Sequence, residues 1–243
     1  MKLIKLSAID STSSFLKELS QNSTLENYTV VVTNEQTNGR GQQANTWVSK
    51  PNKNLTMSIF IKGFNLAMTH QKYLNFAISL AIFDVLSVQQ IEKLSIKWPN
   101  DIMSANKKIC GILIENSIRS NEIYTSIVGV GLNVNQVKFP DFLQKASSLK
   151  KITDIHYNLD FLLLELVGQV KVRVALLKAK KYGELESDYL KVLYKKNIPT
   201  MFKDRHDILF MGIILGISET GNLEVELADE TVKEFGMKEI SMA

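Results

Sequence analysis

The chain has 243 residues, 45% of them hydrophobic and 22% charged, with a formal net charge of +4. That is ordinary globular composition, with room for one large domain and a small appended one. It lacks the dense basic stripe of a nucleic-acid binder, and the mild positive excess suits an anionic small-molecule ligand or an acidic protein partner.

A single cysteine, Cys110, excludes an intramolecular disulfide and fits a reducing compartment. The opening MKLIKLSAID is too short and interrupted for a signal peptide, and no apolar run approaches a membrane span. His70, His156 and His206 share no metal-ligand spacing. The expectation is a soluble cytoplasmic protein.

In chain order, Leu3, Ile4 and Leu6 predict a strand. The polar run Asp10–Ser14 can cap a short helix carrying Phe15, Leu16 and Leu19. A cap is the first reading of Ser11 and Thr12, and ligand hydrogen bonds are the second. Tyr28–Thr33 is β-branched and predicts a buried strand, and Leu55–Ile61 continues the sheet. Leu74 to Leu86 recur at helical spacing. Ile96-Lys-Trp-Pro-Asn-Asp101 reads as a strand running into a turn. Ile109–Glu115 and Ile123–Val130 predict two more strands, joined by a polar link over 116–121. Residues 159–182 predict a second long helix, with Lys171, Arg173, Lys178, Lys180 and Lys181 on a solvated basic face. A shorter helix covers Glu184–Leu193, and after Pro199 come short strands at Asp207–Gly216, Leu223–Leu227 and Thr231–Phe235. The division expected is 1–196 and a barrel-like β domain at 197–243.

The stretch QTNGRGQQANTWVSKPNKN, residues 36–54, lies between two strands yet reads as neither strand nor helix. Connections this long inside a compact domain are usually functional. Glycines admit close backbone approach, Arg40 offers a forked cation and Trp47 a flat face, which suits a lid over a small anionic ligand with an aromatic base. Gly39 to Ala44 formally matches the dinucleotide fingerprint G-x-G-x-x-G/A. No helix follows, however, and Lys62 stands where an acid is required. No P-loop motif occurs anywhere.

Polar islands recur at strand ends: Asp10–Ser13, the 36–47 loop, Lys97–Asp101 with Lys107 and Lys108, and Asn133. KWPND at 97–101, KKICGILIE at 107–115, GVGLNVN at 129–135, GRG at 39–41 with Trp47 behind it, and DST at 10–12 stand in the order found in biotin–protein ligases. The resemblance runs over most of 8–135. It implies an α+β catalytic domain with a central mixed or antiparallel sheet and flanking helices, followed by a small SH3-like β-barrel.

It also implies an ATP-dependent, two-step reaction. Biotin's carboxylate attacks the α-phosphorus of ATP to give biotinyl-5′-AMP and pyrophosphate, and a lysine of a biotin carboxyl carrier protein then displaces AMP. By this resemblance Lys108 bridges carboxylate and α-phosphate, with Arg40 beside it and Mg²⁺ on the phosphates. Ser11, Thr12, Ser13, Gln36, Gly39, Arg40, Gly41, Gln42 and Lys108 match biotin-contacting positions, walled by backbone at Gly111 and Leu113. Trp47 would cover the adenine, with Lys97, Asn100 and Asn133 on the nucleotide side. Asp101 either receives the acceptor amine or caps the turn after Asn100, two readings of equal weight. Trp98 and Pro99 are read as architecture, and Cys110 as a packed small residue.

The loop departs from the family's usual GRGRxGRxW. Gln42 and Asn45 replace arginines and Ala44 a glycine, which removes two cations. The catalytic motifs begin at Asp10, so the resemblance implies the type without a helix-turn-helix, and no DNA partner. A homodimer through edge strands is compatible with the pattern. A lipoate–protein ligase and a non-catalytic biotin- or nucleotide-binding protein are the competing readings.

Overall fold

The structure is a computed structural model that describes residues 1–42 and 45–243. A seven-stranded sheet runs in the order β1 (Leu3–Ile9), β2 (Thr29–Gln36), β3 (Leu55–Ala67), β7 (Glu122–Leu132), β6 (Lys107–Arg119), β5 (Asp101–Ser104) and β4 (Leu94–Lys97). Only the β1–β2 pairing is parallel, so the sheet is mixed as expected, with β1 and β4 at its edges. Helix α1 (Thr12–Asn22) connects the parallel pair and lies on one face, over a small core of Leu16, Leu25, Val31, Phe60 and Ile127. The opposite face carries α2 (Gln71–Ser87), α4 (Leu159–Lys178) and α5 (Tyr182–Lys191) over the main core, while α3 (Leu149–Thr153) is a single short turn after the sheet.

Sequence chemistry accounts for these boundaries. Ser11 caps α1, accepting from the Ser14 N–H at 3.4 Å, and Asn158 caps α4 by accepting from Phe161 N–H at 3.0 Å. Helix α2 is buried around most of its circumference, so it is central rather than one-faced. The β6–β7 hairpin is tighter than the polar link suggested. Its strands run to Arg119 and from Glu122, and Ser120 and Asn121 turn the chain at φ 49° and 63°. Both central residues of such a turn need positive φ, which Asn tolerates, and the polar residues before it still pair through their backbones.

The basic face expected on α4 is not wholly solvated. Arg173 is mostly buried, donating from Nε to Asp84 of α2 at 2.7 Å and from Nη1 to Asp188 of α5 at 2.8 Å.

The last strands do not make a barrel. β8 (Pro199–Asp204), β9 (Leu209–Ile217), β10 (Leu223–Leu227), β11 (Val232–Phe235) and β12 (Ile240–Met242) form an open sheet in the order β11-β10-β9-β8-β12. Closure would require β11 to pair with β12, whereas β11 pairs with β10 and β12 with β8. The physical reason is that this sheet has another surface to cover it. Its buried Phe202, Ile214, Ile217, Leu223, Val225 and Ile240 belong to the main core, and Trp98 donates Nε1–H to Gly221 O at 3.1 Å. A sheet that buries its apolar face against a neighbour need not curl upon itself.

Candidate active site

The floor of the site is a consequence of strand register. Residues two apart share a face of a strand, and pairing places Thr56, Gly131, Gly111 and Asp101 in one row across β3, β7, β6 and β5. The next row is Ser58, Gly129 and Leu113. Small residues in adjacent rows leave a hollow, and α1 with the loop residues 40–42 and 45–47 closes it into a cavity of about 180 Å³.

One end of the cavity is a hydroxyl–amide network. Thr12 Oγ1 and Ser13 Oγ lie 2.8 and 2.9 Å from Ser58 Oγ, and the Thr12 N–H donates to Gln36 Oε1 at 2.9 Å. Gly129 is needed beneath them, because a Cβ there would stand 2.7 Å from Ser13 Oγ. Ser11 lines the same wall while capping α1.

The other end holds Lys108, Asp101 and Trp47. Lys108 Nζ stands 2.6 Å from Asp101 Oδ1 and 5.7 Å from the Trp47 ring centroid. Oδ1 lies against the ammonium and accepts no turn N–H among the described residues. The indole lies on Gly131 and Gly111, and a Cβ at Gly131 would collide with its five-membered ring. Its Nε1–H is buried without a partner among the described residues. The loop that carries Trp47 folds back on itself, with Trp47 N–H donating to Gly39 O at 2.9 Å and Gly41 N–H to Asn45 O at 2.7 Å. No side chain fits at Gly39, where a Cβ would run into the Trp47 carbonyl.

Arg40 lies in the wall with its guanidinium on Glu115, Nη1 and Nη2 donating to the two carboxylate oxygens at 3.1 and 3.0 Å. Gln42 and Asn45 also face this cavity, whereas Lys50 and Lys53 are exposed and outside its walls. Gln43 and Ala44 lie outside the described residues, so the Ala44 replacement has no structural account.

Of the residues singled out from sequence, the cavity gathers Ser11, Thr12, Ser13, Gln36, Arg40, Gly41, Gln42, Trp47, Asn100, Asp101, Lys108, Gly111 and Leu113. Asn100 also ties β5 to β6 through its Nδ2 bond to Ile112 O. Three are not in its walls. Gly39 acts behind the loop as described. Lys97 lines a neighbouring groove with Lys203 and Met242, and desolvation, reinforced by Lys145, Lys108 and Lys195 against the pull of Asp101, lowers its pKa. Asn133 is buried at the end of β7, its backbone bonded to Ile109 O and Leu149 N–H and its Oδ1 without a hydrogen-bond partner among the described residues. Cys110 is fully buried and desolvation raises its thiol pKa, in keeping with a packing residue.

Sequence reading passed over Ser58 and Thr56, and gave no site role to Gly129, Gly131 and Glu115 although they stand in its motifs. The signal for the glycines was present as Gly-x-Gly, whose period of two puts both on one face. Glu115 closes the KKICGILIE run, but its pairing with Arg40 lies 75 residues away in sequence, and Ser58 had no local signal, its partner Ser13 being 45 residues away.

A cavity with a hydroxyl–amide wall, a glycine floor, a lysine beside an indole and an arginine in its wall has the shape and chemistry of a small-ligand site with a polar end and a cationic end. The chain belongs to the biotin/lipoate A/B protein ligase family, which matches residues 6–133. Over its whole length it is similar to the biotin protein ligase of Aquifex aeolicus in complex with biotin and ATP. That match has TM-score 0.81 and 25% identity, covering 100% of this chain and 98% of the other. It is 33% identical over 152 residues to a bifunctional ligase/repressor of Bacillus spizizenii, spanning 61% of this chain and 46% of that protein. It is also 32% identical over 106 residues to a biotin–[acetyl-CoA-carboxylase] ligase of Paracoccus denitrificans, spanning 43% of each. The chain thus spans about half the length of the curated relatives it matches.

Proposed function

We propose that this chain is a biotin–protein ligase, joining biotin to a lysine of a carrier domain through biotinyl-5′-AMP at the expense of ATP. The observation that carries this reading is Lys108, beside the indole of Trp47 at one end of a glycine-floored cavity whose other end is a hydroxyl–amide network. The ureido head of biotin offers donors and an acceptor, which Thr12, Ser13, Ser58 and Gln36 can answer. Its carboxylate then points toward Lys108.

In the first step the carboxylate oxygen forms a bond to the α-phosphorus and the bond to pyrophosphate breaks. The step unites two anions, so Lys108 and Arg40 act by neutralising charge and fixing the approach. In the second step the acceptor amine attacks the acyl carbon and AMP departs with the electron pair. An ammonium must first lose its proton, against an ordinary pKa of roughly 10.4. Asp101 stands beside Lys108 where it can receive that proton or orient the amine. Among the described residues there is no group of three or more His, Cys, Asp or Glu able to hold a metal, so Mg²⁺ enters this reading as part of the Mg-ATP substrate. Residues 1–196 would carry the chemistry and 197–243 flank it.

The test is mass spectrometry of a biotin carrier domain incubated with the protein, biotin and Mg-ATP, with lipoate as control. One carrier lysine gaining biotin is expected, together with pyrophosphate release. Pyrophosphate released without transfer would narrow the activity to adenylation. No biotin-dependent release would overturn the proposal.

A further inference from the structure

Both cations in the described walls of the cavity are already paired with carboxylates, Lys108 with Asp101 and Arg40 with Glu115. The second pair has no explanation in the reading above. Glu115 follows Leu113 on β6, on the cavity face of the sheet, and both of its oxygens are engaged by Arg40. Lys17 of α1 approaches Oε1 at 3.7 Å, and Arg40 Nη1 also reaches Ser14 Oγ at 3.3 Å. A bidentate carboxylate satisfies the geometry that a guanidinium would otherwise offer to a phosphate, since both anions present paired oxygens to the same fork. Arg40 cannot serve Glu115 and a phosphate through the same two donors at once.

We propose that Glu115 is a positioning residue that competes with the ligand's phosphate for Arg40, and so sets how firmly an acyl-adenylate is held. The inference rests on the reading of the site as a biotin ligase. In the empty site the carboxylate holds Arg40 at the wall, and the arriving phosphate takes the guanidinium over while Lys17 remains to balance Glu115. The exchange lowers the net gain from Arg40. With Gln42 and Asn45 supplying no charge, it leaves retention of the intermediate resting mainly on Lys108.

The experiment measures dissociation of biotinyl-5′-AMP from wild type, Glu115→Gln, Arg40→Ala and the double variant at one ionic strength. Glu115→Gln weakens the competitor and should slow dissociation about three- to fivefold, the range open to a partly exposed ion pair. Glu115→Asp, which keeps the charge, should stay near wild type. In the Arg40→Ala background the Glu115→Gln effect should vanish, because the competition has lost its object. Glu115→Thr, suited to a strand, replaces the glutamine should that variant fail to fold. Dissociation unchanged or faster in Glu115→Gln, or an equal effect with and without Arg40, would overturn the proposal. If wild type forms no biotinyl-AMP from biotin and ATP, it is the ligase reading that fails instead.

Discussion

Lys108 is not a free ammonium awaiting substrate, since Asp101 stands 2.6 Å away and the pair is partly screened by Trp47. Removing the lysine therefore has two consequences. On the proposed reaction it would take away the cation nearest the reacting anions, a loss worth on the order of 10²–10³ in rate, and would leave an unbalanced carboxylate that repels them. Lys108→Ala is expected to suppress adenylate formation by at least that factor, measured as biotin-dependent pyrophosphate release, with the fold intact. Lys108→Ala combined with Asp101→Asn should recover part of the loss. A double variant no better than the single would show that repulsion by Asp101 contributes nothing. Gln42 faces the same cavity, and Lys50 and Lys53 lie outside its walls, so neither lysine lines the cavity where the arginines are missing. A Gln42→Arg variant should thus gain a charge-assisted bond to the adenylate phosphate and release biotinyl-AMP about tenfold more slowly. An unchanged release rate would remove position 42 from the problem.

At the scale of elements, the strands explain which parts of this site were legible. Lys108, Asp101, Arg40 and Trp47 sit in spaced motifs, so sequence alone could place them together. The floor could be read that way only in part, because Gly111, Gly129 and Gly131 stand in motifs but their alignment with Thr56 and Ser58 depends on the register of β3, β6 and β7. Asn133 lies outside the walls of the cavity for a related reason. It follows β7 by a single residue, and which way a side chain points there is decided by the bonds to Ile109 and Leu149. The barrel expectation failed on a non-local feature as well, since short alternating strands look alike whether they close or lie against another core. Gly131 gives the test of the floor. A methyl group added there would occupy the place of the indole, so Gly131→Ala should displace Trp47 and raise KM for ATP by roughly an order of magnitude or more. Because the methyl points into the cavity, Tm should fall by no more than a few degrees. A large loss of stability with unchanged KM would mean that Trp47 can relocate without consequence.

Across the whole molecule, the helices behind the sheet are held together by charge as well as by apolar packing. Lys72 of α2 is almost fully buried and donates from Nζ to Glu186 of α5 at 2.7 Å and to Ser218 O, beside the second sheet, at 3.1 Å. Arg173 of α4 joins Asp84 of α2 to Asp188 of α5, with Gln169 donating to the same Asp84. Breaking a buried pair costs about 3–5 kcal/mol, and here the carboxylates keep a quarter or so of their exposure, which reduces the figure. Arg173→Met is therefore expected to lower unfolding free energy by about 2 kcal/mol at neutral pH, read from urea unfolding. The hydrogen bond from Arg173, chiefly, holds the Asp188 carboxyl below its ordinary value of 3.8. A depressed carboxylate contributes stability that is complete above the unfolded value and is lost as pH falls through the folded one. The gap between wild type and Arg173→Met should thus be constant from neutral pH down to about 5 and then close below 3.8. A gap that persists undiminished to pH 3 would mean that Arg173 stabilises the helices through its aliphatic stem rather than its charge.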